Sequence, residues 1–314
     1  MRATPALAYA LTSLCLGSIA VFASENLFWS APKTAIHPGE LALTILAYSL
    51  CAAGALSGVL WSRLGGWRAL FLGGAIQGWL VEGVLVATTY DAFPLQLVWT
   101  PLAWHALITA LGVVGLARYA VHGSLLVQLA SLIGLGSALG AFGLYWPLER
   151  GRMPSTLSVL GYLVGIGALV PVCSIVLDRV GRVSRPSGRT LAIAPCLLGA
   201  IWCVRFALAP SPARVSVPLL VALTLWIMRR LAPRDRDSAS DALELGPRAP
   251  RWRHALFLVL PLATTLVCSV GWSRTNGLHT NIPFALCTSL LSFGLYARLA
   301  FVALRPTKST TSAR

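Results

Sequence analysis

The chain is a succession of ten apolar runs, near residues 4–23, 40–61, 69–89, 96–117, 124–146, 156–177, 190–209, 215–231, 254–273 and 282–303, divided by short polar breaks. A helix needs about 20 consecutive apolar residues to cross the hydrocarbon core of a bilayer, and these runs have that length. Only 11% of the residues are charged and the mean hydropathy is +0.74, whereas a soluble domain carries roughly a quarter charged residues. A soluble enzyme, a disordered chain and a secreted disulfide scaffold are excluded. The expected fold class is all-α, a polytopic helical membrane bundle of about ten transmembrane helices. Runs seven and eight, interrupted by Pro195, Pro210, Pro212 and Pro218, are expected to be the least regular, with eight full spans and a broken hairpin as the alternative. The first run ends in Phe22-Ala23-Ser24, a loose match to a signal-peptide cleavage site, but it is long enough to span a bilayer and is read as retained.

Charge orients the bundle. With the N-terminus in the cytoplasm, 19 of the 25 Lys and Arg fall on the cytoplasmic side and 6 on the other, the bias that the positive-inside rule predicts. Both termini are therefore expected to be cytoplasmic. The net charge of +15 lies in short breaks between apolar runs. That pattern suits anionic membrane lipids as partners and not nucleic acid. Short loops and simple topology suggest the cytoplasmic (inner) membrane of a bacterium. The excess of Arg over Lys, 23 to 2, fits a GC-rich genome. All seven cysteines lie in apolar segments without a C-x-x-C pair, so they read as small buried hydrophobes.

Three segments follow: helices one to eight over 1–228, a charged cytoplasmic linker over 229–253, and a transmembrane hairpin with a short tail over 254–314. Glycines at four-residue spacing, Gly54/Gly58, Gly74/Gly78, Gly136/Gly140 and Gly161/Gly165, let neighbouring backbones approach. They predict that helices two, three, five and six pack inside protein.

Ionisable groups within the apolar runs are costly and usually have a purpose. Asp178, Asp235, Asp237, Asp241 and Glu244 read as cytoplasmic-loop residues, and Glu40 as a complement to a helix dipole. Glu82 shares the Gly74/Gly78 face of the third run. His105 lies on a Pro101/His105/Thr109/Gly112 stripe of the fourth. The turn Asp91-Ala92-Phe93-Pro94 makes these two runs a hairpin, and counting from it puts both groups at similar depth, on the order of 12 Å from the outer surface. The expectation is an outward-facing intramembrane Glu/His/Trp pocket. Its candidate substrate- or proton-binding residues are Glu25, Glu82, His105, Trp79, Trp104, Tyr90 and Asn281. Trp99 also lies nearby, Asn276 and His279 share the outer face, and Arg205 reads as snorkelling.

Metal and cofactor templates are absent: no H-E-x-x-H, Walker loop, dinucleotide fingerprint or G-x-S-x-G. No cofactor is expected, and a zinc site could arise only if Glu25, Glu82 and His105 converged. In helix count and orientation alone the chain resembles the drug/metabolite transporter superfamily. That resemblance implies two inverted five-helix repeats and a small-molecule substrate. The first reading is thus a small-molecule transporter whose buried carboxylate binds a proton or an organic cation. The alternatives are a membrane enzyme acting on a lipid or polyprenyl substrate, with Glu82 and His105 as catalytic acid and base, or an accessory subunit with structural polar contacts. Superimposable inverted halves would favour transport, an asymmetric outward cavity the enzyme.

Overall fold

The structure is a computed structural model that describes residues 4–30, 37–151, 153–233 and 242–305. Its ten helices match the ten apolar runs. They are α1 (Pro5–Trp29), α2 (Pro38–Ser62), α3 (Gly66–Leu80, continued by the π-helical turn Val81–Leu85), α4 (Gln96–Ala120), α5 (Leu125–Arg150), α6 (Thr156–Val180), α7 (Gly188–Leu208), α8 (Pro212–Leu231), α9 (Arg251–Thr275) and α10 (Asn281–Leu304). Among the described residues nine of these are long and apolar enough to cross a membrane. The exception is α3, which carries Arg68, Gln77 and Glu82 and several glycines, and whose central residues are enclosed by the others. The outer helices show Leu126, Leu157, Leu208 and Leu290 to the surroundings. An exterior this apolar suits lipid and not water. The chain has the build of a multi-pass membrane protein.

Local chemistry sets the helix ends. Thr4, Ser124, Ser155 and Ser187 cap their helices by accepting from a backbone N–H three residues on, a donor the helix itself cannot satisfy. Pro5 and Pro38 occupy first-turn positions, where a missing N–H costs nothing. The proline-rich runs seven and eight form two complete helices, α7 tolerating Pro195 in its interior. The first helix continues to Trp29 through Phe22 and Ala23, both fully buried, so the cleavage-like sequence lies within a packed helix.

Glycines decide which helices touch. A Cβ on Gly74 or Gly78 would fall within 3 Å of the α4 backbone, and one on Gly136 within 2.4 Å of the Leu260 carbonyl on α9. At that approach Thr264, Cys268 and Trp272 of α9 donate to the carbonyls of Gly136, Gly140 and Gly143 at 2.9, 3.3 and 3.0 Å. Gly161 and Gly165 have nothing within 4 Å, which corrects the expectation for α6: that face is open, and α6 packs through Val159, Leu163 and Ile166 instead.

The two halves of the chain pack differently. In the first, α1 lies along α2 and α3 along α4; in the second, neither α6 with α7 nor α8 with α9 has a comparable seam. The pairing of an inverted five-helix repeat is absent among the described elements.

At the end of the bundle rich in arginine, strands β1 (Arg182–Ser184) and β2 (Ala242–Glu244) pair antiparallel, Val183 opposite Leu243. The chain after β2 stays on the bundle. The Leu245 N–H donates to the Gly181 carbonyl at 2.9 Å and the Ala249 N–H to Asp178 Oδ2 at 3.0 Å. Residues 234–241 of the expected linker lie outside the described residues; 242–250 form a strap across the bundle's arginine-rich end.

Candidate functional site

Three helices meet at the site, and each is π-wound where it contributes: Phe22–Asn26 of α1, Val81–Leu85 of α3 and Trp99–Leu116 of α4. A π turn carries an extra residue, rotates the side chains after it and is common at functional sites. Proline assists in α4. Pro101 has no N–H for the Leu97 carbonyl, and the Trp79 indole N–H donates to that carbonyl instead, at 3.2 Å. Trp104 does the same service for α1, donating to the Ala23 carbonyl at 3.0 Å. Both tryptophans hold the frame and do not face an open pocket. Trp79 packs on Tyr296, and Trp104 on Phe28, Trp99, Phe142 and Phe284.

The frame brings Glu82 and His105 together. Glu82 Oε1 lies 3.0 Å from His105 Nε2, with the side chains 13% and 1% exposed respectively. The Thr88 hydroxyl donates to Glu82 Oε2. On the other side of the imidazole, Nδ1 is 3.2 Å from the Ser24 hydroxyl, which is 2.9 Å from the Thr109 hydroxyl. A continuous chain Thr88–Glu82–His105–Ser24–Thr109 results. Every member can both give and accept a proton, given a protonated carboxyl and the matching imidazole tautomer.

Glu25 lies beside this chain, accepting from the Tyr48 hydroxyl at 2.5 Å; the Tyr48 ring is 6.1 Å from the His105 ring between centroids. Tyr90 donates to the Gly83 carbonyl at 3.0 Å, and the Arg214 guanidinium sits 5.0 Å over its ring. Burial raises the Tyr90 phenol above its ordinary value, the Arg214 charge opposing that rise. Asn281 begins α10; its Oδ1 is buried without a partner, and it makes no contact with the Glu82–His105 pair among the described interactions. Ser24, Thr88 and Tyr48 complete the site, yet hydroxyls are common in membrane helices and nothing in their spacing singles them out. Among the described residues no three His, Cys, Asp or Glu side chains converge to hold a metal.

Thr109, at 2% exposure, lies in the wall of a cavity. A space of about 640 Å³ runs between α1, α2, α3 and α4 from the strap at Leu243–Pro247 to Gln77 and Thr109. It therefore approaches the Glu82–His105 pair from the arginine-rich end of the bundle, opposite to the loop that holds Thr88.

Near its mouth is a second polar cluster that sequence reading passes over. Asp178, read above as a loop acid, is buried at 4% exposure, and so is His254. Arg118 donates to Asp178 Oδ1 at 2.7 Å and His254 Nε2 lies 2.7 Å from Oδ2, while Arg118 also donates to the Leu245 carbonyl at 3.0 Å. The cluster ties α4, α6, α9 and the strap together. Its signal in sequence is three ionisable residues at the same-side ends of three apolar runs.

Comparison with known proteins returns nothing: no family model matches the chain, and no curated protein and no solved structure matches it.

Proposed function

We propose that the protein is a proton-coupled transporter of a small molecule, lying in a bacterial inner membrane with both termini and the arginine-rich end in the cytoplasm. The observation that carries this is the hydrogen-bond chain from Thr88, at one end of the bundle, to Thr109 in the wall of a cavity that opens toward the other. A proton taken up by the Glu82 carboxylate passes to His105 Nε2 as the Nδ1 proton passes to Ser24, the Ser24 proton to Thr109, and the Thr109 proton to the cavity. Each group loses one proton and gains one, so no charge beyond that of the Glu82 carboxylate, held by Thr88 and His105, is left in the apolar interior, where it would cost several kcal/mol. Cavity and carboxylate then sense each other through a single imidazole. The alternation of access that transport requires would fall to the strap, which closes the cavity's mouth through its hydrogen bonds, the Arg182–Glu244 ion pair and the packing of Leu243 and Leu245 on the core.

The asymmetry of the two halves favours a second reading, a membrane enzyme using the same pair as acid and base. One experiment separates them. In proteoliposomes enclosing a pH-sensitive dye, neutral aromatic solutes added outside are expected to evoke proton movement that Glu82→Gln abolishes, the amide keeping the hydrogen bonds but not the proton. If wild type and Glu82→Gln give equal traces, and cells carrying Glu82→Gln accumulate a lipid precursor, the transporter reading is wrong and the enzyme stands.

A further inference from the structure

The 640 Å³ cavity is large enough to hold a small molecule. Small side chains create it: Ala52, Ala55, Ala69, Gly73 and Ala110 line its walls, where leucines would fill a bundle of this packing density. The volume lies in the range of small-molecule sites, roughly 300–1,000 Å³. The walls are almost wholly apolar, with one polar group at the blind end besides Thr109. That group is Gln77. Its side-chain amide makes no hydrogen bond among the described residues, and its Nε2 is shut off from solvent without a partner.

A buried amide left unpaired costs about 1–3 kcal/mol. Of the two amide atoms only Nε2 is shut off; the oxygen is not, and half a turn of the terminal amide exchanges them, so the group can accept from or donate to a molecule in the cavity. Charge complementarity restricts what that is. At the cavity's mouth Arg118 is already neutralised by Asp178, Glu244 pairs with Arg182 and is largely exposed, and burial disfavours a charge on His122. A bound ion would meet no free countercharge, and burying an ion without one is prohibitive. The groups present match an uncharged ligand with an apolar body and one amide, carbonyl or hydroxyl group.

We infer that this cavity binds a neutral, largely apolar small molecule whose polar group pairs with the Gln77 amide. That this molecule is the one transported rests on the transporter reading; that it binds does not, and binding alone is tested here. The probe is benzophenone, a neutral diaryl ketone that inserts into nearby C–H bonds under near-ultraviolet light. Full-length protein in detergent is irradiated with it, and adducts are mapped by mass spectrometry. They are expected on cavity residues such as Leu111 and Val114, and are expected to fall roughly fivefold in Gln77→Leu, as for the loss of one neutral hydrogen bond. N-phenylbenzamide should compete better than its isostere trans-stilbene, which lacks the amide, and better than the tetraphenylphosphonium cation. The competition uses unmutated protein, so it holds even if Gln77→Leu fails to fold. Adducts scattered over the lipid-facing sides, or stilbene or the cation competing as well as the amide, would overturn the inference. Labelling as expected with no solute-evoked proton movement would leave the site standing and remove the transporter reading.

Discussion

Gly78 lies directly against Pro101: a Cβ added at Gly78 would sit 2.6 Å from the Pro101 Cα and 2.9 Å from the His105 Cβ. The absence of a side chain on α3 is therefore what lets the His105 imidazole come within 3.0 Å of the Glu82 carboxylate.

Gly78→Ala should push α3 and α4 apart. Overpacking of this kind costs about 1–3 kcal/mol, so a thermal melt in detergent should show a clear fall in midpoint. Gly161→Ala is the control. Nothing lies within 4 Å of that Cβ, and its melt should hold or rise, by up to about 1 kcal/mol from helix propensity alone. Equal effects at the two glycines would contradict the packing described here.

The hydroxyl chain makes a separable prediction. Thr109→Val removes its cavity end without touching the Glu82–His105 pair, whereas Thr109→Ser keeps the hydroxyl. Proton movement in proteoliposomes should fall by on the order of 100-fold in the valine variant, the scale of a lost proton-transfer group. The serine variant should stay near wild type. If valine and serine behave alike, Thr109 is only packing.

Asp178 should be a stability residue. Asp178→Asn leaves the Arg118 guanidinium, which is 14% exposed, without its countercharge. Breaking a buried pair from one side costs about 3 kcal/mol or more. The double variant Asp178→Leu with Arg118→Met should recover part of what Asp178→Leu loses, because it removes the stranded charge as well. Chemical denaturation of the three proteins checks this.

The strap should loosen in acid. Burial holds the His122 imidazole below its ordinary value of 6.5, with Arg118, His254 and Arg253 acting the same way and Asp178 against it. His122 borders the cavity beside Gly246 of the strap. The folded state thus binds this proton less well than the unfolded one. Its contribution to stability is complete above about pH 6.5 and is lost as pH falls below that value. Amide exchange over 243–247, corrected for intrinsic rates, should speed up between about pH 7.5 and 5.5. His122→Gln should remove the difference.

Comparison of the sequence with the fold shows which kinds of information travel along a chain. Nine of the ten helices are legible because lipid imposes one rule on a span, a length of apolar residues, and that rule needs no knowledge of neighbours. The meeting of Glu82 and His105 is legible for a related reason: a hairpin with a short turn fixes depth, and the Gly74/Gly78 face points the carboxylate toward its partner. The same reasoning fails at Gly161 and Gly165. Their spacing is identical, but whether a small-residue face finds another helix depends on how the whole bundle is assembled.

The residues by themselves determined a set of apolar helices and placed one acid and one histidine at equal depth, since hydropathy acts through the surrounding solvent, residue by residue. Only the tertiary structure decided that three π-wound segments join those groups to Ser24, Thr88 and Thr109, that the tryptophans hold backbone carbonyls instead of lining a pocket, and that Asp178 is buried. Hydrogen bonds and cavities belong to pairs and groups of atoms, and a pair has no address in the sequence until packing brings its two halves within about 3 Å.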